Sequence, residues 1–304
     1  MRMRLCTFRL VDEPAAKERL GVVKATNVFE VEGLPTMRAF LDSGMAADHL
    51  RLDRDSFEIH DVTLSAPIPR PGKIVAAIVN TQAMLGGNDL RLDRPRLDMK
   101  APSSVIGPGQ TIYAPPSGIR PEVEMAAIVG RQLKRATLNE AKDGIIGYTV
   151  LNDVTAPKDS KDDAYEAYRR DKTTGEIRRA TMRGPLFRSK NHDGFCPMGP
   201  WVVTAEEIRD VAKLKMSTWF DDFLVQSGST AEYLFSPPEI ASYVSGFLTL
   251  EPGDVVSCGS IGWSPEALGS LDPTEYVLPQ KAGELTLDIE GIGKLQNPVL
   301  PEMN

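Results

Sequence analysis

The 304-residue chain is poor in the residues that announce metal–sulfur, redox or disulfide chemistry: it has three cysteines and three histidines. Cys6, Cys196 and Cys258 are too far apart for a zinc-type spacing. Their odd number gives no disulfide framework, so they read as small buried or partly exposed thiols in a reducing cytosol. Long apolar runs are also missing. Nothing approaches the roughly 20 residues of a membrane span, and the basic start MRMRLCTFRL is followed by no signal-peptide core. A cytoplasmic protein without a membrane partner is expected. There is no basic excess either. The net charge of −7 argues against a nucleic-acid partner and leaves room for a local basic pocket that takes a small anionic substrate. The glycine turns GPGQ and GIG lack the strand–GxGxxG–helix context and the Walker lysine, which excludes a nucleotide loop. No solenoid-length repeat is visible.

What the chain does contain is ordinary for a globular protein, with 41% hydrophobic and 25% charged residues. Residues 1–68 read as a small N-terminal α+β domain. RLCTFRLV alternates like a strand, VVKATNVFEVEG reads as two short strands around a turn, and PTMRAFLDSGMAADHLRL reads as a helix opened by Pro35. APIPRPGK is a proline-rich crossover into a main domain, 69–304. There KIVAAIVN and GYTVLNDVTA read as buried strands. TQAMLGGNDLRLDRPRLDMK reads as a surface loop with one helical turn, and Thr137 with Glu140 as a capping box. Residues 157–189 are densely charged and read as a surface helix and hairpin. Thr204 with Glu207 reads as a helix start. KLKMSTWFDDFLVQSG and ELTLDIEGIGKLQNPV read as hairpins, SPPEIASYVSGFLTLEPGD as an amphipathic helix. Hairpins without regular βαβ alternation give a mixed α/β, β-rich fold rather than a doubly wound sheet.

The chemistry centres on PEVEMAAIVG, residues 121–130. Glu122 and Glu124 stand two apart at the head of a short apolar strand, so both point to one face. Two readings are open: an edge strand with solvated glutamates, or a buried pair that needs a cation between its members. Asp153 lies in the polar end of the predicted strand 147–156. Were the two strands neighbours, Glu122, Glu124 and Asp153 would converge, and three carboxylates suit a hard cation, Mg²⁺ or Mn²⁺.

The chain resembles the fumarylacetoacetate hydrolase superfamily. KAPSSVIGPG, PEVEMAAIVG, GYTVLNDVTA, KNHDGFCPMGPWVVTAEEI, LVQSGSTAEYLF, TLEPGDVVSCGSIG and DIEGIGKLQNPV occur in the family's order over about residues 73–300. The resemblance implies a mixed β-sandwich roll, a homodimer and a catalytic Mg²⁺ or Mn²⁺ held by Glu122, Glu124 and Asp153. It matches Lys190 to a lysine beside the metal that orients water or an enolate. It matches Gln226 and Thr230 to a Q-x-x-x-T hairpin, with substrate contact and structural hydrogen bonding both open for Gln226. It matches Lys100 to a pocket-lining or structural lysine, and Ser260 to a hydroxyl of the C-terminal glycine turn.

The departures concern the groups that activate water. Where hydrolytic members carry histidine and glutamate, this chain has Met84 and Gly87, and where they often carry arginine and glutamine it has Pro157 and Ser160. His192 is the candidate substitute base, while His49 and His60 read as structural. The insert offers Tyr165, Tyr168, Arg169, Arg170, Arg178, Arg179 and Arg183, for which a solvated helical face is the bland reading. The resemblance implies a metal-dependent enzyme for a small 2-oxo acid or 1,3-dicarbonyl compound, a C–C bond hydrolase of aromatic or sugar-acid catabolism. The alternatives are an isomerase, decarboxylase or dehydratase acting through the same enolate, and a binding protein without catalysis.

Overall fold

The computed structural model describes residues 3–13, 17–86, 89–208, 210–271 and 275–302. Its centre is the strand Val123–Val129, every residue of which is buried. A continuous apolar run has no face to offer water, so it belongs inside a sheet. It pairs antiparallel with Ile145–Asn152 on one side and with Val255–Ser260 on the other. The edge-strand reading is therefore excluded.

The large sheet runs Leu52–Glu58, Asn27–Val31, Arg19–Lys24, Arg4–Leu10, Cys196–Thr204, Ile145–Asn152, Val123–Val129, Val255–Ser260, Ile74–Val79 and Arg96–Lys100. The N-terminal strands thus continue the sheet, with Arg4 opposite Val203. A second sheet contains Phe223–Ser229, Lys215–Phe220, Gly283–Ile289, Gly293–Pro301 and Ile112–Ala114.

The period-two rule assigns the two faces of the central strand. Val123, Met125, Ala127 and Val129 enter a core that includes Leu285, Leu287, Ile289 and Leu295 of the second sheet. Ala126 and Ile128 enter a separate core with Leu5, Leu20, Val22 and the N-terminal helix residues Met37, Phe40 and Leu41. Glu122 and Glu124 share the parity of Ala126 and Ile128. They stand where that second face runs out toward the strand's beginning. The result is the β-rich mixed α/β roll that the sequence leads one to expect.

Local differences have local causes. The N-terminal helix spans only Met37–Ser43, capped by Thr36 and ended by Gly44 at φ 63°. A 3-10 turn, Ala47–His49, replaces its expected continuation. The loop after residue 81 holds an unforeseen edge strand, Arg96–Lys100, in which charges alternate with Leu97 and Met99. Thr204 starts only a 3-10 turn, Ala205–Glu207, and its side chain caps nothing. The capping box of Thr137 and Glu140 forms. The insert contains the helix Pro157–Asp162, the hairpin Tyr165–Arg170 with Ile177–Met182, and the turn Phe187–Lys190. Its tyrosines and Arg169, Arg170, Arg178 and Arg179 are exposed, on a hairpin rather than a helical face.

Cutting Ile128 (0% exposed) to alanine should lower the unfolding free energy in urea by about 2–5 kcal/mol, the usual range for a buried isoleucine. Tyr168→Ala, at 72% exposure on the hairpin, should change it by less than about 0.5 kcal/mol. Similar losses in both variants would contradict this division between core and insert.

Candidate metal centre and substrate cleft

Register creates the carboxylate cluster. Val123 stands opposite Asn152, so the next step of the ladder sets Glu122 opposite Asp153, and Asp153 N–H donates to the Glu122 carbonyl at 2.9 Å. Directly opposed residues share a face. Glu124 reaches the same place from the neighbouring turn of the strand. One oxygen from each of the three carboxylates lies within 4.8 Å of the others, and all three residues are buried.

Three cations hold these charges. Lys190 Nζ donates to Glu122 Oε2 at 2.7 Å and to Asp153 Oδ2 at 2.6 Å. Arg120 Nε donates to Glu122 Oε1 at 3.0 Å. Lys100 Nζ lies 2.7 Å from Asp153 Oδ1 while donating to the carbonyls of Val154 and Lys190. Thr155 adds its hydroxyl to Glu122 Oε2 at 3.0 Å. Glu124 has no cation of its own: its Oε2 accepts from the Ser257 hydroxyl and from Gly259 N–H at 2.9 Å. Gly259 has φ +89°, and a Cβ there would meet Asn80 Cβ at 2.7 Å, so this close approach requires glycine.

The electrostatics follow from these partners. Burial opposes ionisation of Asp153, but Lys100 and Lys190 outweigh it and bring the carboxyl down to about 2. Burial likewise opposes ionisation of Glu122, and Lys190 with Arg120 hold it below the usual carboxylate range. Burial and then the Asp153 charge push Glu124 up to about 8, which the Ser257 hydroxyl only partly offsets. Burial disfavours the Lys190 ammonium, yet Asp153 and Glu122 keep it protonated well above the usual lysine range.

This donor set fits a divalent cation. It consists of hard oxygens, Asp153 Oδ1 is buried without an aligned hydrogen bond, and Glu124 is buried with no ion pair to a cation. Glu122, Glu124 and Asp153 would hold the ion, with Lys100 and Arg120 behind them.

A cleft of about 450 Å³ opens beside the cluster. Arg120, Glu122, Thr155, Lys161, Arg183 and Lys190 line it, with Pro157, Ser160 and Ser189. Among the described residues, its wall includes none of Lys100, His192, Gln226 or Ser260. Lys100 is sealed beneath Asp153. Gln226 uses all four of its hydrogen-bonding directions on Val123 N–H, the Thr218 hydroxyl, Ser260 Oγ and the Ile261 carbonyl. It is a clamp between the second sheet and the glycine turn, which corrects its expected substrate contact. Ser260 is buried as a partner of that clamp, and Thr230 accepts from Leu214 N–H. His192 Nε2 lies 2.7 Å from Asp159 Oδ2, outside the cleft wall, which removes it from the place of a base. His49 and His60 are exposed beside carboxylates rather than structural. Met84 is half-buried in the turn Gln82–Leu85, and Gly87 lies outside the described residues. All three cysteines are free and buried, with Cys6 and Cys196 pushed up to about 12 by burial, so neither supplies a thiolate.

Sequence reading missed Arg120 and Thr155. Both lay in plain view, because the period-two pattern that selects Glu122 extends back to Arg120, and the one that selects Asp153 extends on to Thr155. Arg120 and Thr155 face each other across the same ladder.

The comparisons with known proteins agree with this architecture. Residues 73–300 match the model of the fumarylacetoacetate (FAA) hydrolase C-terminal family. The chain is 33% identical to an uncharacterised protein of Pyrococcus horikoshii over 77% of this chain and 90% of the other. It is 29% identical to the mitochondrial oxaloacetate tautomerase Fahd2a of Rattus norvegicus over 98% of this chain and 92% of that protein. The solved fumarylacetoacetate hydrolase of Exiguobacterium antarcticum superposes with a TM-score of 0.75 at 27% identity, covering 99% of this chain and 100% of that one. The chain belongs to the fumarylacetoacetate hydrolase family, whose members are enzymes.

Two outcomes follow from the site. Glu124 must lose its proton to ligate, so Mg²⁺ affinity should rise by up to about tenfold per pH unit up to pH about 8 and level off above it. Titration calorimetry in buffers of different ionisation enthalpy reads the released proton, and a flat profile below that pH would exclude the coupling. Lys190→Met leaves Glu122 and Asp153 short of a buried partner and should destabilise the cation-free protein by about 3–5 kcal/mol in chemical denaturation. Added Mg²⁺ should then raise the variant's melting temperature more than that of the wild type; an equal rise would show that Lys190 does not balance these carboxylates.

Proposed function

We propose that the protein is a Mg²⁺- or Mn²⁺-dependent enzyme that forms and protonates the enolate of a small 2-oxo acid, acting as a tautomerase of the oxaloacetate type. The observation that carries this reading is the state of Lys190. It is an ammonium in the cleft wall, and its carboxylate partners keep it protonated, so it is not the base that hydrolysis needs. Hydrolysis of a C–C bond needs a base to activate water. The family's usual base position holds Met84, and His192 is engaged with Asp159 away from the wall. Enolate chemistry needs charge stabilisation and a proton donor, and both are at hand.

A divalent cation held by Glu122, Glu124 and Asp153 supplies a Lewis acid that stabilises enolate charge. The protein does the rest. Lys190 has three N–H bonds, two of them given to Glu122 and Asp153, which leaves one for a substrate oxygen or carbon. As the enol loses its hydroxyl proton to water, this ammonium is placed to protonate the adjacent carbon and complete the keto form. Arg120 keeps Glu122 ionised and adds positive potential to the wall. The near-complete overlap with an oxaloacetate tautomerase, through the N-terminal unit as well as the catalytic part, supports the same choice. Hydrolysis is the second reading, favoured by the likeness to a fumarylacetoacetate hydrolase. A homodimer in the cytoplasm belongs to this proposal, although Fahd2a is a mitochondrial protein.

The test is to supply enol-oxaloacetate and an acylpyruvate to the Mg²⁺-loaded protein. We expect rapid loss of enol absorbance and little cleavage of the acylpyruvate. Glu124→Gln should lower kcat/KM for the tautomerisation by roughly 10²–10³-fold, the scale of losing one aimed electrostatic group. Fast cleavage without tautomerisation would favour the hydrolase, and full activity in the variant would exclude the metal mechanism.

A further inference from the structure

Much of the cleft wall comes from the two ends of the charged insert. The helix Pro157–Asp162 supplies Pro157, Ser160 and Lys161, and the turn Phe187–Lys190 supplies Ser189 and Lys190. Lys190 is held by Glu122 and Asp153. The helix faces solvent through Lys158, Lys161 and Asp162, and bonds to the other end of the insert hold it. Ala156 N–H donates to the Ser189 carbonyl at 2.8 Å, and Ser160 Oγ to the Gly184 carbonyl at 3.4 Å. Arg188 donates to the Asp159 carbonyl at 3.2 Å and pairs with Asp163 at 2.8 Å.

One bond differs in kind. Asp159 is a charged residue of this helix with only 3% exposure. A buried carboxylate is costly unless a donor reaches it. Among the described residues, the donor to its side chain is His192, with Nε2 at 2.7 Å from Oδ2. A carboxylate only accepts, so Nε2 carries the hydrogen.

His192 in turn belongs to the core side. Its ring lies against Phe195 with centroids 4.6 Å apart, and its carbonyl accepts from Phe195 N–H at 3.1 Å. Phe195 is fully buried, and its carbonyl accepts from the N–H of Val154, the residue after Asp153. Contacts thus run from the helix in the cleft wall, through Asp159 and His192, to the strand end that carries the cluster. Asp159 also lies between Pro157 and Ser160, the two positions where this segment departs from the family pattern.

We propose that Asp159 and His192 form a clamp that sets the width of the cleft, by holding the helix Pro157–Asp162 at a fixed distance from Lys190. Both are positioning residues. They act through Ser160 and Lys161, which line the cleft. The role in turnover rests on the proposed function, and the clamp itself rests on the contacts.

Two variants of His192 test it. His192→Phe keeps a ring against Phe195 and removes the donor to Asp159, whereas His192→Gln restores an amide N–H near the position of Nε2. On Mg²⁺-loaded protein, His192→Phe should raise KM for enol-oxaloacetate by about tenfold, the scale of a hydrogen bond to a charged group. It should leave kcat within about threefold, because Lys190 keeps its own carboxylate partners. His192→Gln should bring KM back to within about threefold of wild type. A merely structural effect would shrink the folded fraction, lowering apparent kcat with KM unchanged.

Hydrogen exchange on the cation-free protein is the second measurement. In His192→Phe the amides of Asp159, Asp163 and Ala164, bonded to carbonyls of residues 156–161, should exchange faster, while those of Met125 and Val150 in the core strands should match wild type. Unchanged exchange at the helix would overturn the clamp, whatever the kinetics. Faster exchange with an unchanged KM, a loss in kcat alone, or a His192→Gln variant as impaired as His192→Phe would overturn its role in the cleft. If wild type did not tautomerise enol-oxaloacetate, the proposed function would fall, and exchange alone would decide the clamp.

Discussion

Glu122 and Asp153 are forced together by the hydrogen-bond ladder of two core strands. Two negative charges about 4 Å apart repel by about 4 kcal/mol even at an effective dielectric of 20. Each stands one residue beyond the end of its strand, where the bond from Asp153 N–H to the Glu122 carbonyl keeps the spacing of the ladder. Lys190, Lys100 and Arg120 are the answer, and their placement explains much of the surrounding chain. The turn Phe187–Lys190 exists where an ammonium must bridge both carboxylates. Lys100 ends an edge strand so that its amine can pass under Asp153. The cluster is thus stable as built, yet poised to take more positive charge through Glu124.

Glu124 shows how a third ligand is kept in place without a cation. A change of register separates its pairing with Ser260 from the pairing of Ala126 with Ser257. That irregularity brings the Gly259 N–H and the Ser257 hydroxyl onto one carboxylate oxygen. Gln226 then ties the glycine turn to Val123 from the opposite side. A bulge at a site commonly re-aims a side chain, and here it aims a carboxylate. The second sheet thereby takes part in the site without lining it. A residue such as Gln226 is essential to the geometry and still touches no substrate.

Legibility in the sequence followed periodicity. The strands with continuous or alternating apolar residues, both C-terminal hairpins and the capping box at Thr137 were readable because local pattern and tertiary role coincide. The spacing of Glu122 and Glu124 and the polar end of the next strand left the carboxylate trio open, and the family resemblance selected it. The pairing of particular side chains across the ladder needed the register. Arg120 and Thr155 become partners only once 123 is known to face 152. The edge strand Arg96–Lys100 was hidden by its charges, because an edge needs no apolar run on its outer face. His192 looked catalytic by proximity to Lys190. The chain turns between them, and the imidazole finds Asp159 instead.

The division between sheet and insert has a consequence for how such an enzyme acquires its substrate. The cluster is built from ladder residues whose movement would break the core, so its chemistry is fixed along with the fold. The cleft wall on the other side comes from residues 157–189, whose hairpin strands pair only with each other. Changes of charge on the exposed hairpin leave the core packing intact, and binding determinants gather on such segments. Gly184 joins the two regimes. It pins the return of the hairpin onto the helix Pro157–Asp162. Specificity can then drift with the insert while the enolate-stabilising charge stays where Glu122 and Asp153 put it.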